Sequence, residues 1–299
     1  MSATARRALL GATVTGLGCV AYGTLVERRW YRLSRLRVEG VLRGGRGPLR
    51  ILHVTDLHLL PGQAHRVAFL HDLADLDHDL VVATGDLLGG PDAEDLAAAA
   101  LAPLTSRGRP GLVVLGSNDM FGPVFKAPWS YLTQPDRRSR GVPLDTQRLV
   151  DRLHGYGYRT LRGEVLRVET PGGSVAAGGF DDPHLDPTNL PSPAVVTPRP
   201  GQEADLHLGL VHAPYLGALD VLADAGHDLL LAGHTHGGQV RLPGVGALVA
   251  NCDLPLQQAR GLSTHRGRVL HVSAGLGHSP YAPFRFACRP EATLLELTG

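Results

Sequence analysis

The chain has 299 residues, 43% of them apolar and 19% charged, enough for a sizeable core and too little charge for a disordered chain. Its 29 lysines and arginines nearly cancel 28 aspartates and glutamates, which argues against nucleic acid as a partner. Three cysteines without a CxxC pair exclude a disulfide framework and a thiolate zinc site. Fifteen histidines beside only 5% aromatics exceed what packing needs and point towards chemistry.

The N-terminus reads as a segment outside the globular fold. Ala8 to Val26 carries no charge; Arg6 and Arg7 precede it, and Glu27, Arg28, Arg29 and Trp30 follow. As a helix it would span roughly 28 Å, close to the thickness of a bilayer core. Residues 1–30 therefore read as an N-terminal transmembrane helix that anchors the protein to the cell membrane, with a cleaved leader as the alternative. Arg6-Arg7 loosely matches a twin-arginine export signal, whereas Arg28, Arg29, Arg32, Arg35 and Arg37 load the other flank. The two signals oppose each other, and the side of the membrane on which the domain lies stays open. Residues 31–48, rich in arginine and then glycine, read as a basic connector. The domain is expected to occupy 49–299.

Five short apolar runs follow, each ending in a polar motif. They are Leu49–Val54 before Asp56-Leu57-His58, Leu80–Ala83 before Gly85-Asp86, and Leu112–Leu115 before Gly116-Ser117-Asn118-Asp119. Leu206–Val211 leads into His212, and Leu229–Ala232 into Gly233-His234-Thr235-His236-Gly237-Gly238-Gln239. Such runs suit strands buried on both faces, and helical patterns at 66–76, 93–104, 146–154 and 216–225 alternate with them. Ligands of parallel sheets bind at the carboxyl ends of strands, so the five motifs are expected to converge. Taken singly, each is an ordinary turn signal. Two histidines at i, i+2 framed by glycines are not.

Asp56, His58, Asp86, Asn118, His212, His234 and His236 make a mixed N/O donor set suited to Mn²⁺, Fe or Zn²⁺. The number of donors matches two divalent ions rather than one, and two ions would clamp a phosphoryl group.

The order Asp-x-His, Gly-Asp, Gly-x-Asn, His, Gly-His-x-His resembles the calcineurin-like metallophosphoesterase superfamily. With an N-terminal membrane segment it looks like the bacterial YkuE/YaeI-type membrane-associated branch. The resemblance implies a four-layer α/β/β/α sandwich with a dinuclear site between the sheets. It implies that Asp56, His58, Asp86 and His236 hold one ion, and that Asp86 bridges to a second held by Asn118, His212 and His234. His212 and His234 would also stabilise transition-state charge. The implied activity is hydrolysis of a phosphodiester or pyrophosphate bond in a phosphorylated small molecule or lipid. A UDP-2,3-diacylglucosamine-like, lipid-linked substrate is what the branch suggests. A protein or nucleotide phosphatase, and a metal-binding module that has lost catalysis, are the alternatives.

One position departs from the pattern. Asp119 stands where the superfamily has a histidine that assists the leaving group, and Ser117 separates Gly116 from Asn118. Next to two cations an aspartate is expected to stay ionised, which suits a proton donor poorly. Three readings follow: Asp119 orients a ligand or water, another histidine (His184 or His278) gives the proton, or the leaving group needs little protonation. Val165–Thr170 and Ser174–Gly178 read as a hairpin, and 182–201, with six prolines, as a loop rimming the site. The insertion 121–141, with Trp129 and Tyr131, reads as a lipid-facing groove or a cover for the core. Val269–Ser273 and Ala292–Thr298 are expected in the second sheet.

Overall fold

The apolar runs become strands with one face towards helices and the other towards a second sheet. The computed structural model describes residues 2–44, 47–125 and 140–299. Helix α1 (Ala3–Ala21) continues through a wide turn at Tyr22–Val26 and a tight one at Glu27–Arg29. Then come β1 (Arg32–Val38), β2 (Leu49–Val54), α2 (Ala64–Asp72), β3 (Leu80–Ala83), α3 (Glu94–Leu101) and β4 (Gly111–Val113). After α4 (Thr146–Gly155) and β5 (Tyr158–Thr160), the hairpin β6 (Glu164–Thr170) and β7 (Gly173–Gly179) begins the second sheet. The short α5 (Pro193–Val196), β8 (Leu206–Leu210), α6 (Leu216–Asp224) and β9 (Leu229–Ala232) follow. A small ladder of β10 (Arg241–Leu242) and β11 (Gly246–Ala247) precedes β12 (Gly261–His265), β13 (Arg268–Val272) and β14 (Glu291–Leu297).

Two six-stranded sheets result, in the orders β1-β14-β2-β3-β4-β5 and β12-β13-β9-β8-β7-β6. Strands β2 to β5 run parallel, as do β7, β8, β9 and β13. Alternation along each strand builds the layers. Ile51, Leu80, Val82, Leu229 and Leu231 fill the space between the sheets. Leu52, Val54, Val81 and Ala83 pack on Leu70, Leu101 and Leu149 of α2, α3 and α4. Leu230, Ala232 and Leu270 pack on Leu219 and Leu222 of α6. This is the expected α/β/β/α sandwich.

Three expectations are corrected. Strand β14 lies in the first sheet, antiparallel to β2, because its residues are buried on both faces and composition alone cannot choose a sheet. The segment expected as a basic connector contributes β1, an edge strand parallel to β14. Its Leu36 and Val38 face the inter-sheet core while Arg35 and Arg37 point outward, the charge that edge strands carry against further pairing. The last turns before Trp30 also belong to the fold. Gly23 is packed against Phe284 and Arg285, and Glu27 is only 2% exposed.

Candidate metal centre

The carboxyl ends of β2, β3 and β4 carry one set of candidate residues, and those of β8 and β9 carry the other. The two sheets bring them face to face. Beyond β2 and β3 the two loops zip together: Asp56 N donates to Gly85 O, His58 N to Asp86 O and Leu59 N to Leu87 O, each at 2.9 Å. The backbone is forced into the left-handed region at Asp56, His58, Asp86, His234 and His236, with φ between 42° and 68°. Non-glycine residues reach this region at a cost of 1–3 kcal/mol or so, and such strain gathers at functional sites. Gly85 shows why a glycine opens the motif: its φ is +88°, and a Cβ there would lie 2.9 Å from His212 Nδ1.

Asp86 is the centre of the cluster. Its Oδ2 lies 3.4 Å from His212 Nε2 and 3.6 Å from His58 Nε2. Asn118 donates its backbone N–H to Asp86 Oδ1 (2.9 Å) and its Nδ2 to Oδ2 (2.6 Å). On the other flank His236 Nε2 sits 3.5 Å from Asp56 Oδ1 and 3.2 Å from His58 Nε2, the two rings stacked. Two groups therefore have ligand atoms within 4.8 Å of one another, Asp56–His58–His236 and Asp56–Asp86–His212. Asp56 belongs to both, a placement that residue order did not reveal. His234 lies outside both groups, yet it is fixed beside them, its ring 5.3 Å from that of His212 and its N–H on the Asp56 carboxylate.

The histidine tautomers suit a cation. His212 Nδ1 donates to Thr84 O at 2.6 Å, which turns Nε2 towards Asp86, where it has no hydrogen-bond partner among the described residues. His234 Nε2 donates to Asn251 O at 3.1 Å, leaving Nδ1 as the basic atom. Burial holds the His58 imidazole down to about 4 and that of His236 well below its ordinary range. Burial pushes the Asp56 carboxyl up to about 7, against the pull of His212. Burial acts the same way on Asp86, but His212 and His58 outweigh it and hold that carboxyl well below the usual range. Among the described residues, neither carboxylate has a lysine or arginine within ion-pair distance. Buried carboxylates of this kind call for a cation, and the surrounding nitrogens and oxygens fit a divalent one.

Asp119 does not face this cluster. Its Oδ1 accepts from Leu87 N (2.7 Å) and Leu88 N (3.1 Å), and its Oδ2 from Gly116 N (2.9 Å). The side chain ties the Asn118 turn to the Asp86 loop, the geometry of the first of the three readings, in which Asp119 orients a ligand. Of the two substitute donors, His184 packs on His234 with ring centroids 4.6 Å apart, its Nδ1 bonded to Tyr215 Oη at 2.9 Å. His278 lies with Arg28, 3.3 Å from its guanidinium, and burial takes its imidazole down to about 3. Trp129 and Tyr131, expected to line a groove or cover the core, lie outside the described residues.

Two buried arginines were invisible to pattern. Arg66 donates to Leu57 O and to His58 O (3.0 Å). Arg285, fully buried, donates to the carbonyls of Ala274 (2.7 Å), Gly275 (3.2 Å) and Gly277 (2.6 Å), and its Nη2 lies 3.3 Å from His236 Nδ1. Each braces a ligand-bearing loop from behind. A lone arginine has no local periodicity or spacing that could announce such a role.

A family model described as calcineurin-like phosphoesterase matches residues 49–238. The chain is 30% identical over 255 residues to the uncharacterised metallophosphoesterase YkoQ of Bacillus subtilis, covering 84% of each chain. It is 28% identical over 297 residues to the phosphodiesterase YaeI of Escherichia coli, covering 96% of this chain and 94% of that one. Among solved structures, the purple acid phosphatase PPD1 of yellow lupin aligns over 81% of this chain and 47% of its own, at 12% identity and a TM-score of 0.42.

Proposed function

From its membership of the calcineurin-like phosphoesterase family, and so from its being a metal-dependent phosphoric ester hydrolase, we propose that this chain cleaves a phosphodiester or pyrophosphate bond of a lipid-linked substrate. One observation carries the dinuclear part of this reading: two donor groups meet at Asp56, and among the described residues its carboxylate and that of Asp86 have imidazoles but no lysine or arginine within ion-pair distance. Asp56, His58 and His236 would hold one ion, His212, His234 and Asn118 the other, with Asp86 between. Bound there, two divalent ions such as Mn²⁺, Fe or Zn²⁺ supply Lewis acidity towards phosphoryl oxygens and a nucleophile at neutral pH. The left-handed backbone and the Thr84 and Asn251 carbonyls orient the imidazoles before substrate arrives. Thr84 O fixes the His212 proton at Nδ1, and Tyr215 holds Nδ1 of His184. His184, whose ring packs on that of His234, is then the residue we assign to give the leaving group its proton, and Asp119 serves by holding the Asn118 turn on the Asp86 loop.

A membrane-borne substrate is supported by the N-terminal helix. Ala3–Arg29 is long and apolar enough to cross a bilayer, with mean hydropathy 1.6 over its most apolar window and 6% of that window buried. Its last turns rest on residues 284–288, the segment whose Arg285 reaches His236.

Metal-reconstituted protein should turn over bis-p-nitrophenyl phosphate and bind two ions per chain by elemental analysis, whereas Asp86→Ala should lose both. Two bound ions without turnover would leave a metal-binding module. Lipid-linked nucleotides, phospholipids and phosphopeptides compared as substrates decide the class, and preference for a phosphopeptide would sink the lipid reading.

A further inference from the structure

The expected role of the residues before Trp30 is tethering, but their contacts lead into the site. Glu27 is 2% exposed at the end of an otherwise exposed helix. Its carboxylate accepts from Ala287 N at 2.9 Å and from Cys288 N at 2.6 Å. One turn earlier, Gly23 O accepts from Arg285 N at 3.3 Å, and Gly23 itself has no room for a Cβ against Phe284. The segment so gripped holds the metal centre in two ways. Arg285 reaches His236 Nδ1 at 3.3 Å while gathering the carbonyls of Ala274, Gly275 and Gly277, and Cys288 Sγ lies 3.3 Å from His236 O. The same gathered loop returns to the first motif: Leu276 N donates to Thr55 O at 3.0 Å and Gly277 N to Asp56 O at 2.5 Å. Ala287, between the two amides that Glu27 holds, has φ of 51°, a conformation an alanine keeps only when its neighbours impose it.

We propose that Glu27 is a positioning residue of the metal site, acting through residues 285–288 on His236 and Asp56. The end of the N-terminal helix is then a wall of the catalytic domain, and any cleavage that matures the protein falls before Gly23. An exposed acid at the end of a helix would serve a tether equally well; a buried one with two backbone donors serves the loop it holds. The inference rests on the dinuclear reading above.

Outer partners of metal ligands are worth about 10- to 100-fold in affinity or activity. In the full-length protein, Glu27→Ala should hold one of its two ions about tenfold more weakly in a graded EDTA dialysis read by elemental analysis, with the second ion kept. Its kcat on bis-p-nitrophenyl phosphate should fall about tenfold at unchanged KM. In a His236→Ala background, Glu27→Ala should add nothing, since both act on the same ion. Glu27→Gln, which keeps one acceptor oxygen, should fall between and carries the test if the alanine variant is not recovered folded. The exposed Glu39, paired with Arg37, gives a control that should match wild type when changed to alanine. Wild-type ion retention in Glu27→Ala or Glu27→Gln overturns the inference, as does parallel loss of both ions, which marks a general loosening. Wild-type protein with fewer than two ions is the separate failure of the dinuclear reading and shows before any variant is made.

Discussion

Asp119 and the histidine it replaces illustrate how a residue's role follows from what its side chain touches. Three backbone amides converge on the Asp119 carboxylate. Burial, and then the Asp86 charge, still push it up to about 7. Asp119→Asn sets an amide N–H against one of those donors, and an unsatisfied buried donor costs about 1–3 kcal/mol. We expect a loss of about 2 kcal/mol in urea unfolding and a lower kcat, with the acidic limb of the pH–rate profile unchanged. Disappearance of that limb at wild-type stability would make Asp119 a proton donor. His184 makes the complementary case. His184→Ala should cost about 10²-fold in kcat for an alkyl or nucleotide leaving group, the usual scale of general acid catalysis. A p-nitrophenolate ester, whose leaving group needs no proton, should be little affected, and equal losses for both substrates would deny His184 the role. The five residues of the two donor groups were legible in the sequence because histidine pairs, glycines and carboxylates recur at strand ends. The braces Arg66 and Arg285 and the clamp Glu27 were not, since the arginines act mainly on backbone carbonyls and Glu27 on backbone amides some 260 residues away, and none of these contacts leaves a spacing in the sequence.

At the scale of elements, apolar runs and helical periodicity placed the central strands and the four main helices to within a few residues. What composition could not decide was partnership. A strand apolar on both faces fits either sheet, so Ala292–Thr298 was assigned to the wrong one; β14 is inserted between β1 and β2. The arginines of β1 hid a strand, because an edge strand half in water reads like a linker. Its attachment is substantial: Arg32 pairs with the buried Glu291, which also receives Arg260 at 2.8 Å, and seven residues register with β14 from Arg32↔Glu291 to Val38↔Leu297. A chain truncated to begin at Leu49, the expected domain start, would expose β14 and lose the burial of Leu36 and Val38. At roughly 3 kcal/mol for that apolar area, and about 2–4 °C per kcal/mol in a domain of this size, its melting temperature should drop by about 10 °C. Calorimetry on the truncated chain checks this, and an unchanged melting temperature would return β1 to the status of a linker.

The whole molecule accounts for its histidine excess in two ways. Some of the fifteen surround the metal centre; others are buried in the core as neutral rings. His53 of β2 meets His271 of β13 across the inter-sheet layer, Nδ1 to Nδ1 at 3.0 Å, and His227 Nε2 donates to Val196 O at 2.9 Å. Burial lowers both His227 and His271 to about 4, and His53 well below its ordinary range. In the unfolded chain these rings take a proton as pH falls through about 6.5. In the fold they do so only near 4, so the unfolded state binds more protons between those values. Stability present above pH 6.5 is therefore lost as pH falls towards 4, by up to about 3 kcal/mol for each of His227 and His271. Unfolding free energies from urea titrations at pH 7 and pH 5 should differ by several kcal/mol, and His227→Gln should flatten the dependence by about one proton. A pH-independent midpoint would show the core histidines protonated in the fold.

The division of the centre between two sheets has a consequence for fragments. Asp56, His58, Asp86 and Asn118 come from the first sheet, and His212, His234 and His236 from the second, and the proline-rich stretch 183–203, the connection from β7 to β8 within the second sheet, lies between the two sets along the chain. A nick in that stretch would separate two half-sites, each with too few donors to retain an ion alone. The metals would then act as the staple of a split protein, and reassembly of the halves would track metal concentration.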